Sequence, residues 1–411
     1  MRTSIDELHP LDLRTRHRLD RPSSRKWSLH PGTIGAWVAE MDFGTAPAVT
    51  EALHRAVDDE VFGYLSPAVA AELGEATSGW LADEHGWDVD PARVHPVSDV
   101  MAALGVAVQE FTEPGSAVIV PTPAYMPFLT YLPGLGHPVI EVPGAVDTDG
   151  RWSHDLDGID RAFRAGARTL VLCNPHNPTG SVLDRGELEA IAEVVSRHGG
   201  RVFADEIHAP LRYDREHIPY ASLSAETAAH TITGTSASKA WNIPGLKAAQ
   251  LITSNDEDER AYSRFGFAVV HGASTLGVIA STAAYRDGRE WLGDTMGYLD
   301  GSRRLLDELV ATHLPGARLR RPDATYIGWI DVCRLGLGAR PAEFFRQHAG
   351  VTLTEGALCG AGFDDHVRLV FATPRPILEE ALTSMGRAVQ QRTGGQDTGG
   401  EHAVSTRGEH A

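Results

Sequence analysis

Residues Thr169–His208 read TLVLCNPHNPTGSVLDRGELEAIAEVVSRHGGRVFADEIH. Thr169–Cys173 (TLVLC) is a short apolar run with the pattern of a buried strand. In Asp184–His198, Leu188, Ile191, Val194 and Val195 fall on one face at helical spacing. Gly199-Gly200 stops that helix, and Arg201–Ala204 (RVFA) follows at once as a second buried strand. Strand, helix and strand at this pitch make a βαβ unit and therefore a parallel sheet. Ala117–Val120 (AVIV) has the same strand character. Ligands of such sheets bind beyond the carboxyl ends of the strands.

Outward from this stretch, the pattern changes near residue 285. A long helix over Glu290–Thr312, an alternating strand at Tyr326–Val332, a helix from Pro341, a strand at Val367–Ala372 and a helix over Ile377–Gln390 predict a smaller α+β domain. The polar, glycine-rich stretch 393–411 has no apolar face and is expected to be disordered.

The chain has 411 residues and a formal charge of −18, with no apolar run of membrane-spanning length. A basic nucleic-acid footprint is absent, and an anionic membrane would repel this surface. Cys173, Cys333 and Cys359 are far apart and odd in number. They form neither a metal spacing nor a disulfide framework, so no metal is expected and a reducing cytoplasm is the simplest location. Of the 37 basic residues only three are lysine, namely Lys26, Lys239 and Lys247. Any lysine chemistry must use one of them.

Three segments put polar residues where strands end. Asn174–Gly180 (NPHNPTG) leaves the first strand, and its two Asn-Pro steps bar helix. It is a plain loop, or it aims the Asn177 amide at a ligand. Asp205–His208 (DEIH) leaves the second strand. Two carboxylates there are costly to bury without partners, so this is an acidic loop or a site pairing Asp205 with a cationic ring. Thr235–Lys247 (TSASKAWNIPGLK) sets serines beside lysine, as an exposed loop or as phosphate donors. Asn177, Asp205 and Lys239, taken together and in that order, meet the needs of pyridoxal 5′-phosphate. That cofactor takes a lysine for its aldehyde, a carboxylate for its pyridine nitrogen and an amide for its phenolate oxygen.

NPHNPTG, DEIH and SASKAWNIPGLK together resemble the fold-type I, pyridoxal-phosphate-dependent enzymes of the class I/II aminotransferase superfamily. WVAEMDF (Trp37–Phe43), FGY (Phe62–Tyr64) and HGASTLG (His271–Gly277) are similar to its MalY/PatB branch, the cystathionine β-lyase-like C–S lyases. The resemblance implies an α/β fold in which a mostly parallel seven-stranded sheet is sandwiched by helices. The large cofactor-binding domain would span 46–285 and the small one 286–392, with residues 1–45 as an arm on the latter. It implies a β-lyase releasing thiol, pyruvate and ammonia from cystathionine or another S-substituted L-cysteine. An aminotransferase for a small or natural-product amino acid is the alternative, and a regulator acting through a bound partner protein is a further one.

The resemblance also assigns roles. Lys239 forms the Schiff base and acts as base, Asp205 pairs with the pyridine N–H, and Asn177 and His208 lie at the phenolate oxygen. Tyr125 stacks on the ring. Ser236, Ser238, Lys247 and the backbone N–H groups of Val100 and Met101 hold the phosphate. Arg368 clamps the substrate carboxylate, with Asn177, Asp42 and Trp241 also expected near the substrate. Tyr64 reaches the neighbouring subunit's site for catalysis and substrate binding, so a homodimer is expected.

Some residues invite plainer readings. Asp99 stands where the family usually has glycine, and would repel a phosphate unless it turned away or capped the helix. Leu358-Cys359-Gly360 replaces the family's usual Phe-Gly pair near the substrate. Asp42 caps a helix or lines the pocket, Trp37 is expected in the core, His271 packs or caps, and Lys26 is expected to be solvated.

Overall fold

The computed structural model describes residues 9–397. Seven strands build the central sheet: β1 (Val94–Val97), β2 (Ala117–Thr122), β3 (Val139–Pro143), β4 (Ala167–Cys173), β5 (Arg201–Asp205), β6 (Thr231–Thr235) and β7 (Ala249–Thr253). Their order is β1-β7-β6-β5-β4-β2-β3. Only β7 runs against its neighbours, β1 and β6; the other pairs are parallel. The protein therefore has the expected α/β fold with a mostly parallel seven-stranded sheet. Helices cover both faces of a parallel sheet, so its central strands are apolar throughout rather than alternating. That is why TLVLC and RVFA read as continuous runs.

The connection between β4 and β5 is the helix Arg185–Arg197, which buries the four residues named from its periodicity. Asp184 accepts from the Glu187 N–H while the Glu187 carboxylate accepts from the Asp184 N–H, a reciprocal cap.

Strand register positions the site. Cys173 of β4 pairs with Asp205 of β5, and Asp205 with Gly234 of β6, so three strands end at one level. The Asn174 N–H donates to Asp205 O at 3.0 Å and the Glu206 N–H to Gly234 O at 2.9 Å, carrying the ladder past the strand ends. Gly234 must lack a side chain, since a Cβ there would come within 2.7 Å of the Phe203 ring and 3.1 Å of Val100.

The C-terminal part carries an antiparallel sheet of β8 (Arg318–Leu319), β9 (Ile327–Asp331), β10 (Thr354–Glu355) and β11 (His366–Val370), in the order β8-β9-β11-β10. The helices Arg289–His313 and Pro341–His348 accompany it. The last helix, Arg375–Asp397, runs through Thr393. The expected disordered tail thus begins too early: 393–397 are helical, and 398–411 lie outside the described residues.

The N-terminal arm attaches to this C-terminal part, because Ile34–Gly35 pairs in parallel with Val351–Thr352. Here the structure corrects two expectations. Lys26 is not solvated: its side chain is 1% exposed and its Nζ lies 2.8 Å from Asp42 Oδ2. Asp42 is spent in that pair and does not line a substrate pocket. Its Oδ1 accepts from Trp27 Nε1 at 2.9 Å, and its N–H donates to Ala372 O at 3.0 Å. Two distant segments meet here through one buried carboxylate, which neither local pattern announces.

Truncating one partner of a buried ion pair strands the other charge. Lys26→Ala is therefore expected to lower unfolding free energy by about 3–5 kcal/mol. Denaturant titration checks this against Arg161→Ala, an exposed pair expected to change by about 0.5 kcal/mol or less.

Candidate active site

A cavity of about 200 Å³ opens beyond the carboxyl ends of β4, β5 and β6. Val100, Met101, Tyr125, Asn177, Asp205, His208, Ser238, Lys239 and Lys247 line it, together with Ala39, Ser98 and Asp99. These nine expected residues come from five separate stretches, brought together because three loops leave the sheet at one level.

Asp205 ends β5 at the floor, and its Oδ1 accepts from the Ile207 N–H at 3.2 Å. Burial pushes its carboxyl up to about 7, against the pull of that N–H and of Lys239. Lys239 donates from Nζ to Ala39 O at 2.9 Å. Burial, then the Arg368 charge, brings its amine down to about 8. His208 is buried and pushed down to about 3, first by desolvation and then by the charges of Lys239 and Arg368. Its imidazole is therefore neutral, and its Nδ1 has no protein partner.

Arg368, on β11, is only 3% exposed. Nη1 donates to Asn177 Oδ1 at 3.2 Å and Nη2 to Trp37 O at 2.8 Å, while Nε is buried without a partner. Neither acceptor is charged. Burial lowers its pKa from the ordinary value, against the opposing pull of Cys359, Tyr125 and Tyr326. A buried guanidinium without a carboxylate partner is a site for an anion that arrives from outside.

The first turn of the helix Val100–Glu110 faces the cavity. Its N-cap is Asp99, whose Oδ1 accepts from the Ala102 N–H at 2.8 Å, so this carboxylate caps the helix while its charge stays on the cavity wall. Its Oδ2 lies 2.7 Å from Lys247 Nζ.

Besides Arg368, four expected site residues do not line this cavity. Trp241 is fully buried against Trp80 and Tyr285, and its Nε1 donates to Gly288 O at 2.9 Å; it is a core residue. Ser236 spends its hydroxyl on Ala248 O at 2.8 Å and accepts from the Ser238 N–H, so it shapes the loop rather than the cavity wall. Asp42 is the ion-pair partner described above. Tyr64 does not line the cavity of its own chain. It is 87% exposed and stacks on His271 at 5.2 Å. Trp37 is half-buried, its Nε1 donating to Lys26 O.

The sequence reading missed Ala39, whose carbonyl accepts from both Lys239 and the Tyr326 hydroxyl. A backbone oxygen has no side-chain signature, and only its place inside WVAEMDF pointed there. Glu206, the second acid of DEIH, lies away from the cavity. It accepts from the Tyr220 N–H at 2.9 Å and lies 3.2 Å from His217 Nε2.

These groups fit pyridoxal 5′-phosphate. Asp205 is raised by burial and lacks a cationic N–H, His208 Nδ1 lacks a partner, and Lys239, brought down to about 8, loses its proton more readily than an ordinary lysine. Residues 38–385 match the family model for aminotransferase class I and II. The chain is 38% identical to the cystathionine β-lyase of Corynebacterium glutamicum over 360 residues, covering 87% of this chain and 94% of that one. It is 33% identical to the cystathionine β-lyase PatB of Bacillus subtilis, covering 86% and 92%. Cystalysin from Treponema denticola, solved with pyridoxal 5′-phosphate, superposes with a TM-score of 0.85 at 27% identity, covering 90% and 96%.

An amine must be neutral to capture an aldehyde. With Lys239 lowered to about 8, covalent uptake of pyridoxal phosphate by the apoprotein should accelerate with pH and level off above about 8. An ordinary lysine would keep accelerating towards about 10.4. Stopped-flow absorbance across pH 6 to 11 distinguishes the two.

Proposed function

The chain belongs to the aminotransferase class I and II family, and we propose that it is a pyridoxal-phosphate-dependent C–S β-lyase acting on L-cystathionine or another S-substituted L-cysteine. The observation that carries an amino-acid substrate is Arg368, a buried cation that donates to Asn177 and Trp37 O and has no acidic partner, next to a cavity that Asn177 and Lys239 line. Likeness to two β-lyases at 33–38% identity favours elimination over transamination.

When bound, pyridoxal phosphate supplies the electron sink for the pair left as the Cα–H bond breaks. The protein's residues do the rest. Arg368 takes the substrate α-carboxylate in a charge-assisted pair and thereby sets the direction of the Cα–H bond. Lys239 Nζ, neutral above about 8, accepts the Cα proton and can return one to the departing sulfur. Asp205 would hold the ring nitrogen of the cofactor and keep its proton in place. Asn177 Oδ1 is committed to Arg368, which leaves Nδ2 as the donor towards the phenolate oxygen. Tyr125 would stack on the ring, while Ser238, Lys247 and the first N–H groups of the helix Val100–Glu110, all on the cavity wall, would receive the phosphate. The unsaturated product hydrolyses to pyruvate and ammonia.

Phe62 and Tyr64 are 68% and 87% exposed around Gly63. Exposed aromatics this large support an interface, and the same reading places Tyr64 in the neighbouring subunit's site of a homodimer. It also takes 46–285 and 286–392 as the two domains, since the two larger sheets share no strand. No helix among the described residues is long and apolar enough to cross a membrane. A cytoplasmic enzyme with neither nucleic-acid nor membrane partner fits the −18 charge.

The test is incubation with L-cystathionine, cofactor and no keto acid, following thiol, pyruvate and ammonia together. Sustained equimolar release is expected. A single turnover revived only by a keto acid would establish a transaminase instead. Lys239→Ala should abolish turnover and covalent cofactor attachment. Asp205→Ala should keep the attachment while lowering kcat by at least about 100-fold. An Asp205→Ala enzyme as fast as the parent would refute the role given to that carboxylate.

A further inference from the structure

The phosphate end of the cavity contains a negative charge of the protein's own. Asp99 places one oxygen on the Ala102 N–H at 2.8 Å and the other on Lys247 Nζ at 2.7 Å. These are the two kinds of donor a phosphate would use there: a first-turn N–H of the helix Val100–Glu110 and the nearby lysine. Both Asp99 and Lys247 line the cavity, and their side chains are 39% and 59% exposed, open to an incoming ligand. Lys247 is one of three lysines in the chain, so no other lysine replaces it at this end.

We infer that Asp99 is a built-in competitor for the cofactor's phosphate, so that the chain grips firmly only a cofactor linked covalently to Lys239. This rests on the reading that the cavity takes pyridoxal phosphate. A dianion arriving at Lys247 must share it with, or take it from, a carboxylate of like charge. The ring end has no such conflict, since Lys239 and Asp205 both gain a partner there. The grip is therefore uneven. An aldehyde cofactor is held by its bond to Lys239. The aminated form cannot make that bond and depends on the contested phosphate end.

The inference bears on reaction choice. A transaminase must retain the aminated cofactor between its two half-reactions. A β-lyase regenerates the aldehyde form on each cycle and has no such need. A weak hold on the aminated form suits elimination.

The experiment measures binding, not turnover. Inorganic phosphate and pyridoxamine 5′-phosphate are titrated calorimetrically into the apoprotein and into apo Asp99→Asn. Asparagine caps a helix as well as aspartate does, so the variant loses the charge and keeps the cap. Equal melting temperatures verify this. Asp99→Asn should bind both ligands about 10-fold more tightly, the size of one partly screened charge repulsion. The gap should narrow in about 1 M sodium chloride. Equal or weaker binding by Asp99→Asn would show that Asp99 serves the phosphate by positioning Lys247, and would overturn the inference. So would a gap indifferent to salt. Parent apoprotein that fails to capture pyridoxal phosphate at Lys239 would overturn the underlying reading, and this inference with it.

Discussion

Three parallel strands ending at the same level are the constraint on which the site depends. Register pairs Cys173 with Asp205 and Asp205 with Gly234, so the loops after β4, β5 and β6 start side by side. A slip of one residue in any of them would turn its side chains to the opposite face. Asp205 would then leave the floor of the cavity. The apolar runs that fix this register are the same ones that bury both faces of the sheet. Core and catalytic geometry are therefore one decision. The close approach at Gly234, where Phe203 and Val100 leave no room for a Cβ, also brings the cavity-facing helix Val100–Glu110 against β6.

Much of this could be read from the chain because each chemical segment directly follows an apolar strand. TLVLC and RVFA gave the sheet, and the polar residues after them gave Asn177, Asp205 and His208. What could not be read depends on contacts between distant segments. Lys26 looks solvated in RPSSRKWS, yet Asp42 meets it in the interior. Trp241 adjoins Lys239 in sequence, but the chain turns it into a packed aromatic group with Trp80 and Tyr285. Ser236 looks like a phosphate donor until Ala248 O is seen to accept its proton. Sequence adjacency locates the neighbourhood of a residue; only the folded backbone says which way its side chain points.

Dryness sets the electrostatics. Burial raises Asp205 and lowers Lys239, which brings an acid to about 7 and an amine to about 8. Two groups that differ widely in water thus stand close together in their affinity for a proton. A proton can move among such groups at small cost, which suits a step that takes it from carbon and soon delivers it elsewhere. Arg368 takes part at a distance, as the largest charge effect on Lys239.

Asn177 joins what would otherwise be two independent ligand sites. Its Oδ1 is held by Arg368 at 3.2 Å, and the residue also lines the cavity of Lys239 and Asp205, where its amide nitrogen is the proposed donor to the cofactor. On the proposed roles, an amino acid reaching Arg368 would share or displace that bond, and the asparagine's hold on the ring would shift with it. Affinities linked through one side chain are reciprocal: whatever factor the substrate exerts on cofactor binding, the cofactor exerts on substrate binding. A single amide thereby makes the two equilibria inseparable, so neither has a dissociation constant that can be quoted without stating the occupancy of the other.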